Sequence, residues 1–192
     1  QVVAGMNYRL VILLADSRRW SVTIWRKLDG GWELTRSERL ADRVEPRLRM
    51  AADGLAITGA DGAVRTLAFG TAQAAVMQAV AFRGPAGEST NAECGAGPIQ
   101  FASWPDGVNL LFQDGTFKGW SLDSRADAMT LADGIGIGAT LADLRKGGSV
   151  AVEETSLGQE FTYRDAISGV LDGKGEKARI DALWAGLSCV FR

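Results

Sequence analysis

Carboxylates are the side chains best able to do acid–base chemistry in this chain, because its 192 residues contain no histidine. Without imidazole, Ser-His-Asp and Cys-His nucleophile systems have no general base. Imidazole-containing zinc sites are excluded with them, and two cysteines are too few for an all-thiolate structural zinc. The enzymatic alternative is a carboxylate-dependent hydrolase with Glu160 and Asp165 as its pair. Glu153 and Glu154 are adjacent, so on a strand they face opposite sides and cannot act on one substrate. Asp106, Asp114, Asp133 and Asp172 each precede a glycine, where a carboxylate supports a turn. The glycines of Gly134-Ile135-Gly136-Ile137-Gly138 lack the Lys-Ser/Thr that would complete a phosphate loop, and no stretch has calcium-loop spacing. The expectation is a protein that is not an enzyme, with no catalytic residue, no cofactor and no metal.

Cys94 and Cys189 are either two buried thiols or one long-range disulfide. They lie far from any ligand motif, which favours a structural bridge, and such bridges persist mainly in exported proteins. An apolar fraction of 46% and six tryptophans exclude a disordered chain. No apolar run is long enough to span a membrane as a helix. Residues 1–50 hold ten Lys/Arg against six Asp/Glu. Arg39, Arg43, Arg47 and Arg49 alternate with Asp42 and Glu45, a mixed solvated stretch rather than the clustered basic face of a nucleic-acid binder.

The elements that would position these groups are short. Residues 6–15, 20–27 and 32–37 alternate as strands of a meander, with Asp29-Gly30-Gly31 as a tight hairpin turn. Residues 38–52, with Pro46, read as a connector or ragged edge strand. Beyond them, Asp-Gly pairs separate short apolar runs. Residues 71–80 form the clearest helix, capped by Thr71, with Ala75, Val76, Ala79 and Val80 as its apolar stripe. A second capped helix begins at Gly138-Ala139-Thr140. Each helix is followed by strands, and residues 117–120 match residues 180–184 as the last strand of each unit.

Two resemblances follow. Gln1-Val2-Val3-Ala4-Gly5, with Asn7-Tyr8 after it, resembles the Gln-x-Val-x-Gly first inhibitory loop of the cystatins, inhibitors of papain-like cysteine proteases. Val22-Thr23-Ile24-Trp25 and Trp32-Glu33-Leu34-Thr35 resemble the strands flanking that family's second loop. The similarity covers residues 1–38. It implies that the loop enters a protease cleft beside the catalytic cysteine without reacting, and that residues 28–32 assist. Small uncharged side chains at 2–4 are cheaply desolvated there, and Gly5 allows close backbone approach. In this chain Leu28-Asp29 stands where the family has Pro-Trp, and the family's helix and first strand would precede Gln1. Residues 65–192 resemble the tandem helix-plus-sheet units of the β-lactamase inhibitory proteins and of small outer-membrane assembly lipoproteins. That likeness implies a sheet face turned to a protein partner, with Trp104, Phe112, Trp120 and Trp184 as rings that line it or fill the core.

The expected fold is α+β, with antiparallel sheets, short helices packed on one face, and tandem helix-plus-meander units. A cystatin-like meander and connector spans 1–50, and a tandem domain spans 51–192 with units at about 64–123 and 135–192. The expected function is an exported, non-catalytic protein-binding protein, periplasmic or secreted, whose export signal has been removed. Its protein partner is a papain-like cysteine protease or an envelope component; neither nucleic acid nor a membrane span is involved. The expected contact residues are Gln1, Val2, Val3, Ala4, Gly5, Leu28 and Trp32. The alternatives are the hydrolase and a structural or accessory envelope protein.

Overall fold

Turns set the architecture. In a computed structural model, which describes residues 5–15, 18–40 and 45–189, short strands follow one another through tight reversals. The chain divides into two compact units, Gln1–Glu45 and Pro46–Arg192.

The first unit is one antiparallel sheet of β1 (Gly5–Leu13), β2 (Arg19–Lys27) and β3 (Trp32–Leu40), in that order. The turn between β2 and β3 closes where the sequence places it. Lys27 N donates to Gly31 O at 2.8 Å, and Gly31 N donates to Asp29 Oδ1 at 2.8 Å.

The second unit contains a three-stranded sheet of β4 (Arg47–Ala51), β5 (Gly54–Thr58) and β6 (Val64–Ala68). Its larger sheet is built from two meanders: β7 (Gly87–Asn91), β8 (Ile99–Ser103), β9 (Val108–Gln113) and β10 (Thr116–Leu122), then β11 (Val150–Thr155), β12 (Gly158–Tyr163), β13 (Ile167–Leu171) and β14 (Ile180–Gly186). The last strands pair antiparallel, Trp120 opposite Ala185, so the two meanders merge into eight strands ordered β11-β12-β13-β14-β10-β9-β8-β7. Short helices α1 (Gln73–Ala79) and α2 (Leu141–Gly147) precede the two meanders.

The α+β class expected from the sequence is incorrect: the protein is mostly β. Its described residues hold fourteen strands and two helices of seven residues each. A seven-residue helix is only about 10 Å long, too short to form a layer over an eight-stranded sheet. Of the stripe at 75–80, Val76 and Val80 are buried in the core, but the helix that carries it ends at Ala79 after two turns. Thr71 does not cap α1 either; its hydroxyl donates to Ala68 O at 2.7 Å and the N-cap is Ala72. Thr140 does cap α2, in a reciprocal capping box with Asp143.

One face of the large sheet faces the core, with Leu110, Phe112, Phe117, Trp120, Leu122, Phe161, Tyr163 and Leu183 all nearly inaccessible. The small sheet joins the same core through Leu48, Met50, Leu55 and Ile57. Trp120 Nε1 donates to Ala51 O at 2.8 Å, which satisfies a buried indole and ties the two sheets together. On the opposite face, Cys94 and Cys189 form a disulfide across 95 residues of sequence and pack with Ile99 and Leu111. Among the described residues no helix is long and apolar enough to cross a membrane.

Candidate functional site

Strand register sorts the first unit into two unlike faces. Directly opposed residues share a face, and the pairs Met6–Arg26, Tyr8–Ile24, Leu10–Val22 and Ile12–Trp20 continue into Trp32, Leu34, Ser37 and Arg39 of β3. This face is mainly apolar, with Arg26, Ser37 and Arg39 as its polar members. The other carries Asn7, Arg9, Ser21, Thr23, Arg36 and Glu38, together with Trp25 and Val11.

Among the described residues no other element of the unit packs on this face, which is open at its margins while Val22 at its centre is 7% exposed. Met6 is 58% exposed, Leu34 60% and Trp32 59%. Tyr8 reaches across the central strand to Trp32, ring centroids 5.5 Å apart, and the Arg26 guanidinium lies 5.5 Å from the Trp32 ring. The cation–π contact and the tilted ring contact restrain the exposed indole.

The expected contact residues converge at one end of this sheet. Gly5 pairs with Lys27, so the start of β1 lies beside the β2–β3 turn. Leu28, in that turn, is 80% exposed, and Trp32 opens β3. Gln1, Val2, Val3 and Ala4 lie outside the described residues. Gly5 has a local reason to be glycine: its φ is +150°, and a Cβ would fall 2.0 Å from Trp25 Nε1. The close approach that the sequence reserved for a protease is made here to the chain's own tryptophan. Lys27 bonds Glu33 at 2.8 Å across the hairpin, and this carboxylate raises the lysine's pKa.

Sequence reasoning did not assign Met6, Tyr8, Leu10 and Leu34 to one exposed apolar face. The available signal was alternation in three consecutive strands with no amphipathic segment between them to cover the apolar side.

The carboxylates are arranged differently from the expected pair. Glu160 is buried in mid-strand, whereas Asp165 is exposed in the β12–β13 turn at φ +56°. The register sets Glu160 opposite Glu153 instead. Glu154, on the other face, bonds Lys174 at 3.0 Å. Asp133 has a structural partner: Tyr163 Oη donates to Asp133 Oδ2 at 2.7 Å, while Arg164 Nη2 lies 3.2 Å from the same oxygen. Burial, then this carboxylate, pushes the Tyr163 hydroxyl up to about 12. Among the described residues no group of three or more His, Cys, Asp or Glu is placed to hold a metal.

The four aromatic rings named in the second unit are all buried. Phe112 and Trp120 lie in the core. Trp104 donates from Nε1 to Gly84 O at 3.2 Å beneath the Arg83 guanidinium. Trp184 alone points to the opposite sheet face, where it is 8% exposed in a small pocket with Phe101, Leu111 and Cys189.

Comparison with known protein families, curated proteins and solved structures found no match.

Proposed function

We propose that this chain is a non-catalytic, extracytoplasmic binding protein that engages another protein with the end of its first sheet. The partner is a papain-like cysteine protease whose cleft is occluded. The observation that carries this reading is the Gly5–Lys27 pairing, which brings the start of β1, the exposed Leu28 and the restrained Trp32 to one end. Val2, Val3 and Ala4 precede Gly5 in the sequence, and their small apolar side chains suit a desolvated cleft. The Cys94–Cys189 disulfide favours an oxidising compartment. Titration of active papain with the protein tests the reading, and an unchanged rate at micromolar excess contradicts it.

A second reading, an accessory envelope protein, is favoured by the extent of the apolar face. Leu10, Ile12 and Trp20 continue it well beyond the end that a cleft would admit. A sheet face of this kind packs broadly against another apolar surface. Leu10→Asp separates the two, since it spoils a lateral contact and spares the inhibitory end.

A further inference from the structure

A second site lies in the other unit. Ala75, Gln78, Ala79 and Phe82 recur at helical spacing, forming one stripe along α1 and the 3-10 turn Ala81–Arg83 that follows it. Val76 and Val80 turn from that stripe into the core and are fully buried. The stripe looks instead toward the inner face of the β4–β6 sheet, where Ile57 pairs with Arg65 and Leu55 with Leu67. Because two stripe positions are alanine, helix and sheet do not close on each other. They leave an open cleft of about 710 Å³, bounded also by Pro46 and Asp61. That volume lies within the range of small-molecule sites, about 300–1,000 Å³.

The cleft is apolar except for a few groups at its rim. Arg65 lies on the same sheet face as Ile57 and Leu67, a cation on the side that otherwise packs inward. Among the described residues neither Arg65 nor Gln78 has an ion pair or a side-chain hydrogen bond. Asp61 does not neutralise Arg65; its Oδ1 accepts from Ala63 N at 3.0 Å and so serves the β5–β6 turn. An inward cation on an edge strand also discourages strand addition, but that role does not need an apolar cleft in front of it. Apolar walls of this extent with one free guanidinium match a molecule having an apolar body and a single anionic head.

We propose that the cleft between α1 and the β4–β6 sheet binds a small amphipathic carboxylate. Arg65 receives the carboxylate, Gln78 donates to it, and Ile57, Leu67, Ala75, Ala79 and Phe82 enclose the apolar body.

Sodium decanoate, kept below its micellar concentration, is the probe, with decanol and decyltrimethylammonium as uncharged and cationic controls. Amide chemical shifts of the full chain locate the contact, and calorimetry gives the affinity. The expected result is saturable binding of decanoate, with shifts at residues 57, 67, 75 and 79. Affinity falls at least tenfold for Arg65→Gln, and Ala75→Leu, which adds bulk to the cleft wall, removes binding. Each variant is checked to keep the wild-type spectrum elsewhere; an Arg65→Lys variant, which keeps the charge, restores most of the affinity. Equal binding of all three amphiphiles, shifts confined to the first unit, or no saturable binding each overturns the proposal. None of these outcomes touches protease inhibition, which rests on other residues.

Discussion

Tyr8 and Trp32 lie on β1 and β3 with ring centroids 5.5 Å apart, bridging the central strand on the uncovered face of the first sheet. Trp32 is nonetheless 59% exposed, whereas Trp104 is 4% exposed and Trp120 fully buried. Trp32 is therefore the indole most open to iodide, with Trp20 and Trp25 only half-buried beside it. Trp32→Phe should lower the quenchable emission more than Trp20→Phe or Trp25→Phe, with little change in thermal midpoint. Unchanged quenching would mean that the face is covered.

Gly5 separates structural from inhibitory need. At its φ of +150°, with Trp25 Nε1 in the path of a Cβ, Gly5→Ala strains the backbone and displaces the indole. A cost of about 1–3 kcal/mol is expected for such strain, read as a lower denaturant midpoint for the first unit. Val3→Asp should leave that midpoint in place.

The disulfide predicts a second stability effect, confined to the other unit. A covalent closure over 95 residues restricts the unfolded chain by about 4–5 kcal/mol in the chain-entropy account. Mass measurement before and after reduction and alkylation should show one bridge. Reduction should lower the urea midpoint of the second unit and leave the far-ultraviolet spectrum nearly native at low denaturant.

Tyr163 gives the pH dependence. Its folded pKa, about 12, lies above the ordinary tyrosine value near 10, because burial and Asp133 both disfavour the phenolate. The folded state thus holds this proton more tightly than the unfolded state. The contribution is fully present below about pH 10 and is lost as pH rises through about 12. Absorbance at alkaline pH should show one tyrosine ionising late, and Tyr163→Phe should remove that step. Asp133→Asn should bring it earlier, since a neutral amide no longer opposes the phenolate.

Much of this architecture is legible in turn chemistry. Asp29-Gly30-Gly31 and Asp114-Gly115 predict hairpins because Gly and Asp accept positive φ, and both form. Gly138-Ala139-Thr140 predicts a capped helix by the same local logic, and Thr140 caps α2, with Asp143 completing the box. What failed was non-local. The stripe at 75–80 reads as a packed helix face, yet only part of it is buried, because what lies opposite belongs to β5 and β6, earlier in the chain. Glu153 meets Glu160 only through strand register, which a reading of neighbouring residues does not supply. The free apolar face is illegible for a related reason: alternation announces an amphipathic sheet but not whether anything packs on it.

The most direct test of the central claim is a titration of active papain, with initial rate read against added protein. The account predicts a stoichiometric fall in rate for the wild-type chain. It predicts a loss of at least tenfold in inhibitory affinity for Val3→Asp and for Trp32→Asp, with thermal midpoints unchanged, and no loss for Leu10→Asp. An unaltered papain rate at micromolar excess of the wild-type chain would contradict it.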